Sequence, residues 1–261
     1  PMGYETHLRM PLADFDRVRA GLEVAADDGL MASLRAIKSP LEIARIGQTC
    51  GLAGRAFDRM GEIARPGVAV SEVFRGFQRL LLEEGADWVP YLAGGVGPMG
   101  YGDVISPATD APLQKGDILM LDTGAIKGGY FCDYDRNFAI GHAGPEARAG
   151  HAQIIDATAA GFEAARPGAE ARDVWHAMAN IVGRGDGAGR MGHGLGMQLT
   201  EGLSLTAEDE SVLKPGMVIT LEPYAETAEG CLMVHEENVV ITETGAEALT
   251  RFSEAEIPVL N

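Results

Sequence analysis

Cysteine is scarce: Cys50, Cys132 and Cys231 are the three in 261 residues. An odd and sparse set cannot build a disulfide framework and fits a reducing compartment. Positive charge is short as well, with 21 Lys and Arg against 38 Asp and Glu for a formal net charge of −17. Such a surface has no generic attraction for nucleic-acid phosphates or anionic lipid. Long apolar runs are missing. Stretches such as Ile118-Leu119-Met120-Leu121 fall far short of the ~20 residues that a membrane-spanning helix needs. No apolar segment follows a basic start near residue 1, so no secretory signal is read. These absences predict an acidic, soluble, cytoplasmic globular protein with neither nucleic acid nor membrane as partner. The chain opens Pro1-Met2, as a fragment or a processed form would.

What is present is ordered punctuation. Ser39, Pro40 and Glu42 make an N-cap, a first-turn proline and the closing acid of a capping box. Ile46, Cys50, Ala53, Phe57, Met60 and Ala64 then step by three and four, predicting one buried helical face. Arg65-Pro66-Gly67 stops that helix. A second amphipathic helix is expected from Ser71 to Glu84, and the Gly/Pro-rich stretch from Gly94 to Pro112 reads as irregular loop. Residues 1–38 show no sustained period.

An internal repeat at an offset near one hundred residues organises the rest. Ala64-Arg65-Pro66-Gly67 recurs as Ala165-Arg166-Pro167-Gly168, and Val73-Phe74 as Val174-Trp175. Leu113-Gln114-Lys115-Gly116-Asp117-Ile118-Leu119-Met120-Leu121-Asp122 is echoed by Leu213-Lys214-Pro215-Gly216-Met217-Val218-Ile219-Thr220-Leu221-Glu222. Each copy ends in a carboxylate after an apolar strand, and a second strand then brings another acid, Asp133 or Glu236. Two such copies predict two α+β halves about a pseudo-twofold axis, with a curved sheet inside and helices outside. Asp122, Asp133, Glu222 and Glu236 would then meet at the axis. Four carboxylates in a poorly hydrated cleft repel one another and pay a desolvation penalty, and a divalent cation is the natural neutraliser. His193, flanked by Gly192 and Gly194, adds an unshielded imidazole. The Asp/Asp/His/Glu/Glu set suits two divalent ions such as Mn, Co, Fe or Zn.

These residues resemble the pita-bread metallohydrolases: methionine aminopeptidase, aminopeptidase P, prolidase and creatinase. Leu121-Asp122-Thr123-Gly124, Asp133-Tyr134-Asp135-Arg136, Gly192-His193-Gly194, Glu222-Pro223 and Glu236 carry the resemblance, with spacings most like those of prolidase and its bacterial relatives. It implies an α+β pita-bread fold around a curved antiparallel sheet. It also implies residues 35–261 as the catalytic domain, residues 1–34 as the tail of an N-terminal domain, and a homodimer. Asp122 would chelate one metal, His193 and Glu222 the other, and Asp133 and Glu236 would bridge both. Glu222 would also shuttle the catalytic proton. The implied activity is hydrolysis of a C–N bond in a small polar molecule or short peptide, in the manner of an Xaa-Pro peptidase. The alternatives are a creatinase- or ectoine-hydrolase-like reaction on a non-peptide, a lyase reaction, or an inactive binding module of the same fold. The family's peptidases carry a histidine in the loop before the first Asp and another seven residues after the metal-ligand histidine. Here the first is absent from Gly97–Gly102 and the second is Thr200. Tyr101 and Thr200 are therefore expected as replacement donors to the substrate, and the chain is expected to be a poor Xaa-Pro dipeptidase. Asp135 reads equally as a partner behind the metal ligands or as a surface acid. His235 and Glu237 read as packing or surface groups.

Overall fold

The computed structural model describes residues 10–25, 29–185 and 187–261. The first half contains helices α1 (Leu12–Gly21), α2 (Leu30–Ala36), α3 (Pro40–Asp58) and α4 (Val70–Glu83). Strands β1 (Trp88–Gly97), β2 (Ile118–Lys127), β3 (Tyr130–Phe131) and β4 (Tyr134–Ile140) follow. The second half contains α5 (Pro145–Ala164), α6 (Ala171–Val182), β5 (Val218–Leu221), β6 (Tyr224–Ala228), β7 (Cys231–Val234) and β8 (Glu237–Ile241), then β9 (Ala246–Ala248) and β10 (Val259–Leu260).

The capping box forms as expected: the Glu42 amide donates to Ser39 Oγ, and the Ser39 amide donates to Glu42 Oε2 at 2.8 Å. The α3 stripe buries Ile46, Cys50, Ala53 and Phe57 against the first half's core. The helix stops earlier than its apolar stripe, at Asp58. A 3₁₀ turn, Met60–Glu62, then keeps Met60 and Ala64 in the core. Two further corrections apply. The region before residue 38 holds α1 and α2, neither of which buries a residue. Gly94–Gly97, expected as loop, is the end of β1, which pairs antiparallel with β2 through Gly94↔Leu121 and Gly97↔Ile118. Glycines let the backbones approach closely there, which the composition alone reads as irregular loop.

The strands fall into three hydrogen-bonded groups. One runs β1-β2-β4-β10 with β3 attached to β2, the second β5-β8-β9, and the third pairs β6 with β7. Pairing is antiparallel except for β10 against β4. Two cores flank these strands, each drawn mainly from one half with a few residues of the other, such as Val218 in the first and Ile118 in the second.

The duplication is visible atom by atom. Gly67 donates to the Leu113 carbonyl at 2.8 Å and Gly168 donates to that of Leu213 at 2.9 Å. Gly116 donates to the Ile140 carbonyl and Gly216 to that of Ile241, each at 2.8 Å. Ile140 returns to Asp117, and Ile241 to Met217, again at 2.8 Å in each half. The repeated Arg-Pro-Gly turns thus position the repeated strands β2, which carries Asp122 at its middle, and β5, which Glu222 follows. Gly67 and Gly168 both sit at φ +90°, with open space where a Cβ would project. Replacing either by Ala therefore costs backbone strain alone, about 1–2 kcal/mol. Gly67→Ala and Gly168→Ala should lose equal stability in urea titrations, and the double variant should lose the sum.

Candidate metal centre

Asp122 lies within β2; Asp133, Glu222 and Glu236 adjoin strand ends, and His193 sits in an isolated bridge to Ser204. Asp122 follows the fully buried run Ile118–Leu121 on β2 and lies opposite Asp135 of β4. Asp133 immediately precedes β4. Its amide donates to Asn238 Oδ1 at 3.0 Å, and Asn238 Nδ2 donates back to its carbonyl. Glu222 follows β5 and Glu236 precedes β8, so the two acids leave a paired ladder that ends at Leu221↔Glu237. His193 is fixed at both ends of its peptide unit. Its amide donates to Thr220 Oγ1 at 3.1 Å and its carbonyl accepts from the Thr220 amide at 2.7 Å.

The His193 imidazole places Nδ1 3.0 Å from the Gly194 carbonyl. A proton on Nδ1 satisfies that contact and leaves Nε2 as a lone pair, the tautomer that a metal needs. Nε2 lies 3.2 Å from Asp133 Oδ2 and 3.9 Å from Glu236 Oε1. Asp133, His193 and Glu236 are all buried and each offers one ligand atom within 4.8 Å of the others. Asp122 and Glu222 flank this triple and lie outside that spacing. Asp122 Oδ1 and Glu236 Oε1 are buried with no hydrogen-bond partner. Orphaned buried carboxylate oxygens facing a neutral imidazole nitrogen form a donor set that fits divalent cations.

The electrostatics agree with the geometry. Burial pushes Asp122, Asp133 and Glu236 well above the usual carboxylate range, and neighbouring acids push Asp122 and Glu236 further. Burial raises Glu222 too, but the adjoining His193 and Arg190 restrain it to about 7. Burial lowers His193, favouring the neutral ring. With no cation between them, these acids would hold protons rather than charge.

Behind the cluster lies a second polar layer. His235 is 1 % exposed, with Nε2 3.0 Å from Glu237 Oε1 and Nδ1 3.6 Å from Asp135 Oδ1. Arg136 donates to Glu237 Oε2 at 3.0 Å and to the Glu236 carbonyl at 3.2 Å. Burial pulls His235 down, yet the neighbouring Asp135 and Glu237 carboxylates outweigh this and hold it above its ordinary value. Asp135 is thus a buried partner behind the ligands and no surface acid. His235 and Glu237 are interior, as packing groups would be, but tied into an ionic network.

Two expected substrate donors fare differently. Tyr101 is buried in the second half's core, where its hydroxyl donates to Asn137 Oδ1 at 3.1 Å and accepts from the Val234 amide at 2.8 Å. It is a packing residue with a satisfied hydroxyl. Thr200 is half-buried on the loop after His193. That loop is held by the next residue, Glu201, which Lys38 meets at 2.9 Å and Arg35 also contacts. Among the described residues, Thr200 forms no hydrogen bond to the cluster. Tyr91 escaped the sequence reading. Its hydroxyl donates to Asp122 Oδ2 at 2.9 Å from β1, opposite Gly124. Recognising β1 as a partner of β2 would have exposed it.

Fold and site together define a two-half α+β protein with a buried carboxylate–histidine cluster at its pseudo-twofold axis, the pita-bread architecture. Residues 44–243 match the profile of Metallopeptidase family M24, and the chain belongs to that family. It is 30% identical over 234 residues to the Xaa-Pro dipeptidase of Pyrococcus furiosus, covering 86% of this chain and 66% of that protein. It is 31% identical over 244 residues to the probable dipeptidase PepE of Mycobacterium tuberculosis, covering 91% and 63%. The chain thus spans about two thirds of the length of these curated relatives. Among solved structures, the X-Pro aminopeptidase of Thermotoga maritima superposes with a TM-score of 0.88 at 25% identity, over 97% of this chain and 73% of that one. The Pyrococcus furiosus prolidase gives 0.84 at 27% identity, over 94% and 75%.

Tyr91→Phe removes the hydroxyl that orients Asp122. Loss of such an outer partner commonly weakens metal binding by about 10–100-fold. Calorimetric titration of metal-free protein with Mn²⁺ should show that drop for one class of ion, with the fold intact by circular dichroism.

Proposed function

We propose that this chain is a dinuclear metal-dependent hydrolase that cleaves a C–N bond in a small polar substrate, with an Xaa-Pro dipeptide as the leading form. The observation that carries the reading is the buried Asp133–His193–Glu236 triple flanked by the orphaned oxygen of Asp122. Asp122, Asp133, His193, Glu222 and Glu236 would hold two divalent ions, with Mn, Co, Fe and Zn all compatible with the donors. Bound ions would neutralise the acids and supply Lewis acidity toward the scissile carbonyl.

The protein's own groups supply the rest. Glu222, balanced near 7 between burial and the charges of His193 and Arg190, is suited to accept a proton and return it to the leaving nitrogen. The Gly194 carbonyl keeps His193 Nε2 aimed at the cluster, and Asn238 fixes the backbone of Asp133. A second reading, a non-peptide amide or amidine as substrate, draws on the missing histidine donors. Tyr101 is committed to the core, so the loop before Asp122 offers no replacement in its place.

Asp133→Ala should abolish binding of both ions, because a bridging ligand serves two. Elemental analysis after loading with excess Mn²⁺ checks this, and two equivalents retained by the variant would remove Asp133 from the ligand set. Glu222→Gln, assayed at saturating metal, should lose about 10²–10⁴ in kcat. Ala-Pro, Met-Pro and a panel of cyclic amides and amidines form the substrate set. Faster turnover of the non-peptides than of Ala-Pro would favour the second reading.

A further inference from the structure

The α3 stripe that packs into the first half's core is apolar at Ile46, Ala53 and Phe57, yet Cys50 sets a thiol among them. By periodicity alone the residue is a small core filler, and it is buried as one would be. Its sulfur does more than fill space. Cys50 Sγ lies 3.2 Å from Asn238 Oδ1 on β8 of the other half, 188 residues along the chain. Burial first, then the neighbouring Cys132 and Glu237, push the thiol well above its ordinary range, so the sulfur keeps its proton and donates.

The other bonds of Asn238 give that contact its weight. Oδ1 accepts from the Asp133 amide at 3.0 Å, and Nδ2 donates to the Asp133 carbonyl. A half-turn of the side-chain amide would set N–H against N–H and C=O against C=O at Asp133, so its orientation follows from the bonds it makes. Oδ1 has two lone pairs, and the Asp133 amide and the Cys50 thiol take one each. The Asn238 backbone is tied separately: its amide donates to Thr250 Oγ1 at 3.1 Å and its carbonyl accepts from the Leu249 amide at 2.8 Å. The thiol is what joins α3 to the amide fork around Asp133.

Cys50 meets the same segment a second time. Its carbonyl accepts from the hydroxyl of Tyr134, the residue after Asp133, at 2.9 Å. Gly54, one turn further along α3, leaves room for that hydroxyl, which would stand 3.3 Å from a Cβ placed there. One helical residue thus reaches the chain at Asp133 through the Asn238 fork and just beyond it through Tyr134. We propose that Cys50 is a positioning residue for Asp133, its thiol bracing the Asn238 amide that holds the backbone of this acid at the cluster. The proposal rests on the metal-dependent reading in making Asp133 a ligand, and goes beyond it by giving α3 a part in the site. An apolar side chain of similar size would fill the same space and leave the second lone pair of Oδ1 without a donor.

The test separates volume from donation. Cys50→Val fills the core without a donor, whereas Cys50→Ser keeps a hydroxyl donor and underfills it. A packing role alone makes stability and metal binding fall together, with Ser the worse of the two. Positioning splits them: Cys50→Val should keep its urea midpoint yet bind Mn²⁺ about 10-fold more weakly in calorimetric titration, while Cys50→Ser should lose stability and bind Mn²⁺ like the unmodified protein. Hydrogen exchange of the Asp133 amide, followed by NMR on metal-free protein against the core amides of β2, reads the brace without any ion. It should quicken by roughly 5–10-fold in Cys50→Val and stay slow in Cys50→Ser. Cys50→Ala, which lacks both donor and volume, should show the same quickening and serves if Val does not fit. Unchanged Mn²⁺ affinity and Asp133 exchange in the donor-free variants, or a loss in Cys50→Ser as large as theirs, overturns the proposal. An unmodified protein that takes up no Mn²⁺ would count against the metal reading alone, because the exchange ratios still decide whether Cys50 holds Asp133.

Discussion

Mutual repulsion among buried carboxylates is the constraint around which this molecule is arranged. Asp122, Asp133, Glu222 and Glu236 converge with little water between them, and each is driven toward protonation by burial. A fold held only by its cores would relax such a cluster apart. Here Asp122 sits within a paired strand and the other three acids beside strand ends, and side chains from the opposite half grip the backbones of Asp133 and Glu236. Asn238 binds both the amide and the carbonyl of Asp133, while Arg136 takes the carbonyl of Glu236. The repulsion is thereby kept in place and made available to cations.

Much of this was written in the sequence as punctuation and repetition. The capping box at Ser39, the doubled Arg-Pro-Gly turn and the doubled apolar strand before an acid each have a local physical cause, and each appears in the fold. What the sequence hid depended on register. Tyr91 meets Asp122 only because β1 lies beside β2, and the glycines at 94 and 95 disguised that strand as loop. Tyr101 looked available in its glycine-rich setting, yet its bridge to Leu232 draws it into the core of the other half. The Asp135–His235–Glu237 network is likewise invisible in one dimension, since its members approach across the pseudo-twofold axis. The Asp133–His193–Glu236 triple was legible from residue types. The layer that orients it was not.

The two halves repeat one plan without repeating its side chains. Asp135 and Asn238 each stand two residues beyond an acid of the cluster, and each reaches into the opposite half. Asn238 does so with a neutral amide that grips a backbone. Asp135 does so with a charge directed at His235. Duplication supplied the symmetric frame, and substitution within it made one side a neutral clamp and the other an ionic one.

The Glu201 carboxylate ties the loop that follows His193 to two cations, Lys38 and Arg35, which precede the capping box. Glu201 and Lys38 are nearly inaccessible, at 5% and 3% side-chain exposure, and removing one partner of such a pair strands a charge at a cost of about 3–5 kcal/mol. The segment matched to the family begins only at residue 44. Proteolytic trimming to that boundary would spare every side chain of the acid–histidine cluster yet leave Glu201 uncompensated beneath the loop that presents His193. A buried ion pair whose cations stand six and nine residues ahead of the family model's match thus holds the loop that presents His193.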